Sequence, residues 1–159
     1  MAEVKNVNPY EFERRDGFSL STDPARLDLA LIHDFLSRQS YWAAGIPPEI
    51  VRRSIENSLC FGLYRSQRQV GFARVVTDKS TFAYLGDVFV LEEFRGRGLG
   101  KWLLERILHH PELQGLRRFI LGTRDAHGLY EQFGFRALAS PERFMEIHRP
   151  GIYGPPGNE

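Results

Sequence analysis

Seven consecutive residues, Arg95-Gly96-Arg97-Gly98-Leu99-Gly100-Lys101, concentrate the types that hold an anion. Three glycines in five residues let the backbone turn tightly and bring several N–H groups close to a ligand. The segment follows the β-like run Val88-Phe89-Val90 and opens a helical pattern, and a helix N-terminus adds partial positive charge. Arg95, Arg97 and Lys101 add three cations with no acid among the seven residues, which suits a ligand carrying several phosphates. The helix that follows carries Gly100, Leu103, Leu104, Ile107 and Leu108 at i, i+3, i+4, i+7 and i+8. That spacing predicts one buried stripe, with Gly100 letting the first turn lie close to the strands. A glycine-rich turn with solvated arginines is the plainer account of the same letters.

Two familiar phosphate loops fail on these residues. The dinucleotide pattern G-x-G-x-x-G needs glycine at Lys101 if begun at Gly96, or at Leu103 if begun at Gly98. The triphosphate loop needs Ser or Thr after Gly-Lys, where Trp102 stands.

The elements that must position this segment are legible along the chain. Residues 1–16 show no period and are a tail or an extra strand, with Met1–Lys5 a loose leader. Phe18–Thr22 alternates, and Asp23-Pro24 starts a helix whose apolar positions Leu27, Leu31, Ile32 and Phe35 continue it to Ser37. An aromatic connection, Tyr41–Ile46, leads to a second helix begun by Pro47-Pro48. Runs Leu59–Arg65, Val70–Thr77 and Thr81–Leu91, split by polar turns, predict an antiparallel meander. Then come a helix from Gly98 to His109, a strand Arg118–Thr123, a helix Ala126–Phe133 capped by Asp125, and short strands Phe135–Ala139 and Phe144–His148. The expected fold class is mixed α/β, order β α α β β β α β α β β. It is a largely antiparallel central sheet of six or seven strands, helices on both faces, in a domain spanning 17–148 before a Pro/Gly-rich tail, 149–159.

In this setting Arg95-Gly96-Arg97-Gly98-Leu99-Gly100 resembles the acyl-CoA loop of the GNAT superfamily of N-acetyltransferases, [Gln/Arg]-x-x-Gly-x-[Gly/Ala]. One strand later, Ala126-His127-Gly128-Leu129-Tyr130-Glu131-Gln132-Phe133-Gly134-Phe135 is similar to that family's Ala-x-x-Leu-Tyr-x-x-x-Gly-Phe. The element order from residue 17 to 148 is also similar, so the resemblance covers most of the chain.

The resemblance implies acetyl-CoA as co-substrate, its pantetheine arm beside the backbone of Val88, Phe89 and Val90 and its pyrophosphate on the amides from Gly96 to Lys101, with Arg95 and Arg97 at the rim. It implies that Tyr130 protonates the departing thiolate. A phenol of pKa ~10 suits that task against a thiol of ~8.5. The plainer account has Tyr130 packing its ring beside Leu129 and Phe133. Where some relatives carry adjacent acids on the central strand, Gly86 stands first and leaves Asp87 alone as base or amine-binding group. Strict alternation sets Asp87 on the face opposite Tyr84, Gly86 and Val88 unless a bulge intervenes; the alternative is a carboxylate hydrogen-bonded within a strand. Thr123 stands where many relatives have an asparagine touching the pantetheine arm. His33, Tyr41, Trp42 and Tyr84 are the candidates for the acceptor side, with a structural histidine and plain core aromatics as the alternatives. Gly134 suits the left-handed position past a helix.

Composition bounds the rest. One domain of 159 residues, 42% hydrophobic and 26% charged, buries a core without staples. A single cysteine, Cys60, excludes an intrachain disulfide and a Cys-based metal site, is expected as a small buried strand residue, and suits a reducing cytoplasm. No metal is expected, since His109-His110 lacks a third ligand. A net charge of +1 and no apolar run beyond four residues argue against nucleic acid and membrane partners. The expected activity is direct acetyl transfer to a primary amine of a small molecule or peptide. The alternative is a catalytically degenerate acyl-CoA-binding module acting as a sensor. The loop Tyr41–Ile46 and the tail residues Ile152 and Tyr153 offer a homodimer contact.

Overall fold

The computed structural model describes residues 8–154, so the expected leader Met1–Lys5 and the last five residues of the tail lie outside the described residues. Two compact units emerge, one formed by the chain up to Asp28 together with Asn57–Leu121, the other by Leu29–Glu56 together with the chain from Gly122.

The first unit holds a six-stranded sheet in sequence order: β1 (Glu11–Glu13), β2 (Phe18–Ser21), β3 (Leu59–Arg65), β4 (Arg68–Thr77), β5 (Phe82–Val90) and β6 (Arg118–Leu121). All neighbours run antiparallel except β5 and β6, which are parallel. The meander falls where alternation and polar turns predict it. Asp78 closes the β4–β5 turn by accepting the N–H groups of Ser80, Thr81 and Phe82, and these bonds hold its carboxyl far below the usual carboxylate range. β3 and β4 are buried along nearly their whole length, the pattern of central strands covered on both faces.

α3 (Leu99–Leu108) packs on β3 and β5 through Leu99, Trp102, Leu103, Leu104 and Ile107. The buried stripe is thus centred one residue earlier than expected. Leu108 is half-buried, and a Cβ at Gly100 would meet nothing within 4 Å, so close packing on the strands is not why residue 100 is glycine.

Residues 11–13 settle as an extra strand because of partners far away in sequence. Tyr10 donates its hydroxyl to the Arg106 carbonyl at 3.1 Å, and the Arg106 guanidinium lies 4.0 Å over the Phe12 ring. Tyr10 also packs 4.7 Å from the buried His110 ring, whose Nδ1 accepts the Glu112 N–H.

The second unit holds α1 (Leu29–Asp34), α2 (Pro48–Glu56) and α4 (His127–Glu131). The single helix expected to Ser37 is instead a 3-10 turn at Pro24–Arg26 capped by Asp23, then α1, then a π-helical turn Phe35–Gln39. Ser40 closes that turn, its N–H bonding the Phe35 carbonyl and its hydroxyl the Leu36 carbonyl. α4 is shorter than expected. No side chain caps its start, so Asp125 does not cap it as expected; Thr123 Oγ1 accepts the N–H of Ala126, the residue from which α4 begins, at 3.1 Å. Phe135–Ala139 and Phe144–His148 pair with no strand among the described residues, and Phe144, Met145 and Ile147 are exposed. β-propensity is a statement about packing against strand neighbours, and these segments pair with none among the described residues.

Candidate functional site

The loop and strand residues expected on the donor side lie in the first unit. Gly96 and Gly98 adopt φ of +78° and +72°, values that a side chain would strain, and Gly98 is the left-handed residue from which α3 starts. No side chain caps α3, and its first backward bond runs from the Trp102 N–H to the Gly98 carbonyl. The amides of Leu99, Gly100 and Lys101 therefore have no helical acceptor. A Cβ built at Gly96, Gly98 or Gly100 would meet nothing of the protein within 4 Å. Three adjoining glycines thus border open space beside orphan donors at the positive end of a helix, a cradle that fits a diphosphate. The Leu99 side chain is in the core, so only its amide can take part.

Two of the cations around this cradle are held by specific contacts. Arg95, Arg97 and Lys101 are exposed. Arg95 donates Nε to the Val90 carbonyl at 3.0 Å. The Arg97 guanidinium lies 5.7 Å over Phe94, and its carbonyl accepts Nη2 of Arg14 at 3.0 Å. Arg14, itself paired with Asp16, ties the β1–β2 hairpin to the loop, a contact the sequence reading missed.

β5 leads into this loop and is bulged. Its register against β4 runs Gly71↔Val90 and Phe72↔Phe89, then resumes at Arg74↔Gly86, which sets Asp87 and Val88 against Ala73 alone. The bulge interrupts the alternation as the sequence argument allowed. Asp87 sits in it with φ +54°, a conformation costing a non-glycine residue roughly 1–2 kcal/mol. Its carboxylate accepts Nε of Arg74 at 2.8 Å, side chains 11% and 19% exposed, and Arg74 Nη1 reaches Ser58 Oγ at 3.1 Å. A lone arginine inside the apolar run of β4 signals a buried partner, and that signal identifies Arg74.

Pairing of β5 with β6 covers Phe82 to Leu85 and stops there. Beyond it Val88 and Val90 are half-buried, while the Phe89 ring packs in the core 5.9 Å from Phe72. Tyr84 is exposed with its ring across Gly86, where a Cβ would come within 3.1 Å of it, so a side chain at 86 would make the Tyr84 ring give way slightly.

The other candidates belong to the second unit. Tyr130 is half-buried on α4, edge-on to Phe135 at 5.9 Å, and its hydroxyl has no hydrogen-bond partner among the described residues. Burial, and then the neighbouring Tyr41, push the phenol's pKa up, so it stays protonated and able to donate. Gly134 ends the turn after α4 with φ +93°, as expected. Tyr41 and Trp42 are 46% and 43% exposed and meet edge to face at 5.0 Å. Tyr41 Oη accepts the Arg124 N–H at 2.9 Å, and the Arg124 guanidinium lies 3.9 Å over the Tyr41 ring, a brace that the sequence reading also missed. His33 donates Nε2 to the Ile46 carbonyl at 2.9 Å, a structural bond that ties α1 to the connection before α2.

No helix among the described residues is long and apolar enough to cross a membrane. Residues 29–135 match the model of the Acetyltransferase (GNAT) family. A Gibberella zeae protein assigned as an acetyltransferase is 36% identical over 149 residues, spanning 80% of this chain and 82% of its own length. A Xanthomonas campestris pv. campestris crystal structure assigned to the same family is 53% identical, with a TM-score of 0.86 over 87% of this chain and 97% of that one. A GNAT-family acetyltransferase from Elizabethkingia anophelis, solved with acetyl-CoA bound, shares the fold at 16% identity, with a TM-score of 0.59 over 87% of this chain and 92% of its own.

Proposed function

The chain belongs to the GNAT acetyltransferase family, and from that premise we propose that it moves an acetyl group from acetyl-CoA directly to a primary amine of a small molecule or peptide. The observation that carries the reading is the open cradle at Gly96, Gly98 and Gly100 with the uncapped amides of α3. Acetyl-CoA supplies an activated thioester when bound. The amides of Leu99, Gly100 and Lys101 hold its diphosphate, with Arg95, Arg97 and Lys101 adding charge. The backbone of Val88 and Val90, past the end of the β6 ladder, pairs with the pantetheine arm. Thr123, whose oxygen already accepts the Ala126 N–H, retains a hydroxyl proton to donate. Backbone donors of the bulge stabilise negative charge developing on the acyl oxygen. Tyr130 gives its proton to the leaving sulfur, the role suited to a phenol that burial keeps protonated. The exposed aromatics Tyr41, Trp42 and Tyr84 contact the acceptor, which must arrive as a neutral amine. The lone thiol favours a reducing, cytoplasmic setting.

Calorimetry with coenzyme A and thiol release from acetyl-CoA across polyamines, amino sugars, amino acids and peptide N-termini test this. Tyr130→Phe is expected to lower kcat by roughly 10²–10⁴-fold while coenzyme A affinity stays the same. Binding without acceptor-dependent release across that panel favours a sensor module instead; no binding of coenzyme A overturns both.

A further inference from the structure

We infer that Arg74 is a positioning residue of the donor site: its guanidinium holds Asp87 in the left-handed conformation that makes the β5 bulge, and so sets the direction of the amides at Asp87 and Val88. The inference rests on the acetyl-transfer reading above.

Among the described residues, three other than glycine have positive φ: Ser66, Lys79 and Asp87. Ser66 and Lys79 sit in the tight connections between strands, where such values are ordinary, whereas Asp87 lies inside a strand. A strained conformation persists only where its surroundings determine it. Here the determinant is Arg74, directly across the ladder from Gly86. One of its nitrogens bonds Asp87 Oδ2 at 2.8 Å, while another bonds Ser58 Oγ at 3.1 Å, so the fork is anchored at both ends and cannot follow Asp87 if the strand straightens. Both side chains are largely covered, which strengthens the pairing over one in open water. The bulge it secures begins where the β6 ladder ends, at the point where backbone donors are needed for an acyl oxygen. Asp87 thereby serves as an anchor, its charge directed to Arg74, rather than as the acceptor of the amine proton.

The test is a double-mutant cycle on the full chain, read by thiol release at saturating acetyl-CoA with whichever panel amine the wild type uses fastest, alongside melting curves and coenzyme A calorimetry. Arg74→Gln is expected to lower kcat roughly 10–100-fold, with KM for acetyl-CoA within about threefold, because the donors are misaimed while the diphosphate seat is intact. Arg74→Lys keeps the charge and recovers part of the loss. Glycine adopts positive φ without strain, so in an Asp87→Gly background Arg74→Gln costs less than about threefold more. Asp87→Asn, which tolerates the same φ and still offers an oxygen to Arg74, stays within about tenfold of wild type with the acid limb of its pH profile in place.

Arg74→Gln behaving as wild type, losses that multiply across the cycle, or Asp87→Asn abolishing turnover together with the acid limb would each overturn the inference while leaving acetyl transfer standing. If the wild type neither binds coenzyme A nor releases thiol, the acetyl-transfer reading fails instead. A crystal structure of Arg74→Gln then decides the remainder: residue 87 leaving the left-handed region supports the hold, and residue 87 unmoved defeats it.

Discussion

The loop Arg95–Lys101 acts through its backbone, whereas Tyr41, Trp42 and Arg124 present side chains. In the loop, two positive φ values, an uncapped helix start and three open Cβ positions make a seat whose shape depends on the absence of side chains. In the aromatic cluster, the contacts are ring on ring and guanidinium on ring, and both aromatics are more than two-fifths exposed. A backbone seat suits a ligand part common to many reactions, such as the diphosphate of the proposed co-substrate. An exposed set of side chains suits what changes from one relative to another, the acceptor.

Gly100→Ala cuts into this contrast most deeply. The residue has ordinary helical φ and open space around it, so alanine is expected to raise stability by up to about 1 kcal/mol. The methyl group enters the seat, however, and coenzyme A affinity should fall tenfold or more, about 1.4 kcal/mol. Melting curves and calorimetry on one preparation give both signs; an unchanged affinity would mean that the seat is not backbone-built.

Tyr41→Phe should act on the other region alone. It removes the acceptor of the Arg124 N–H, a bond worth about 0.5–1.5 kcal/mol, and is expected to raise KM for the amine less than tenfold while leaving coenzyme A affinity unaltered. A change in coenzyme A affinity of that size would erase the division of labour.

The smallest effect is one of pH. Burial lowers the His110 imidazole below its ordinary 6.5. A base depressed in the folded state takes up more protons when unfolded, so its contribution is present above about pH 6.5 and is lost as pH falls. The melting temperature should drop on acidification, and His110→Asn, which keeps an acceptor for the Glu112 N–H, should flatten part of that slope.

Local signals explain what was legible. The meander follows from alternation and polar turns and the loop from its glycines, whereas the bulge at Asp87 is no more than an exception that alternation allows. What escaped depends on partners distant in sequence. β1 exists because Tyr10 and Phe12 find Arg106 and His110, and Arg14 braces the loop across 83 positions. The pairing of Arg74 with Asp87 could be suspected from a charge in an apolar strand, but its partner could not be named. The uncapped start of α4, where Thr123 rather than Asp125 bonds the Ala126 N–H, and the π turn at Phe35–Gln39 turn on single hydrogen bonds that residue types do not rank. The spacing alone makes Gly100 a packing glycine, since it is the same whether the space beyond belongs to the protein or to a ligand.

Cys60 is 5% exposed, and burial pushes its thiol up to about 12. With no other sulfhydryl in the chain, the folded protein is silent toward thiol-reactive dyes near neutral pH. A colorimetric reagent added during turnover therefore counts liberated coenzyme alone, and a slow rise in its blank reports molecules that have come apart.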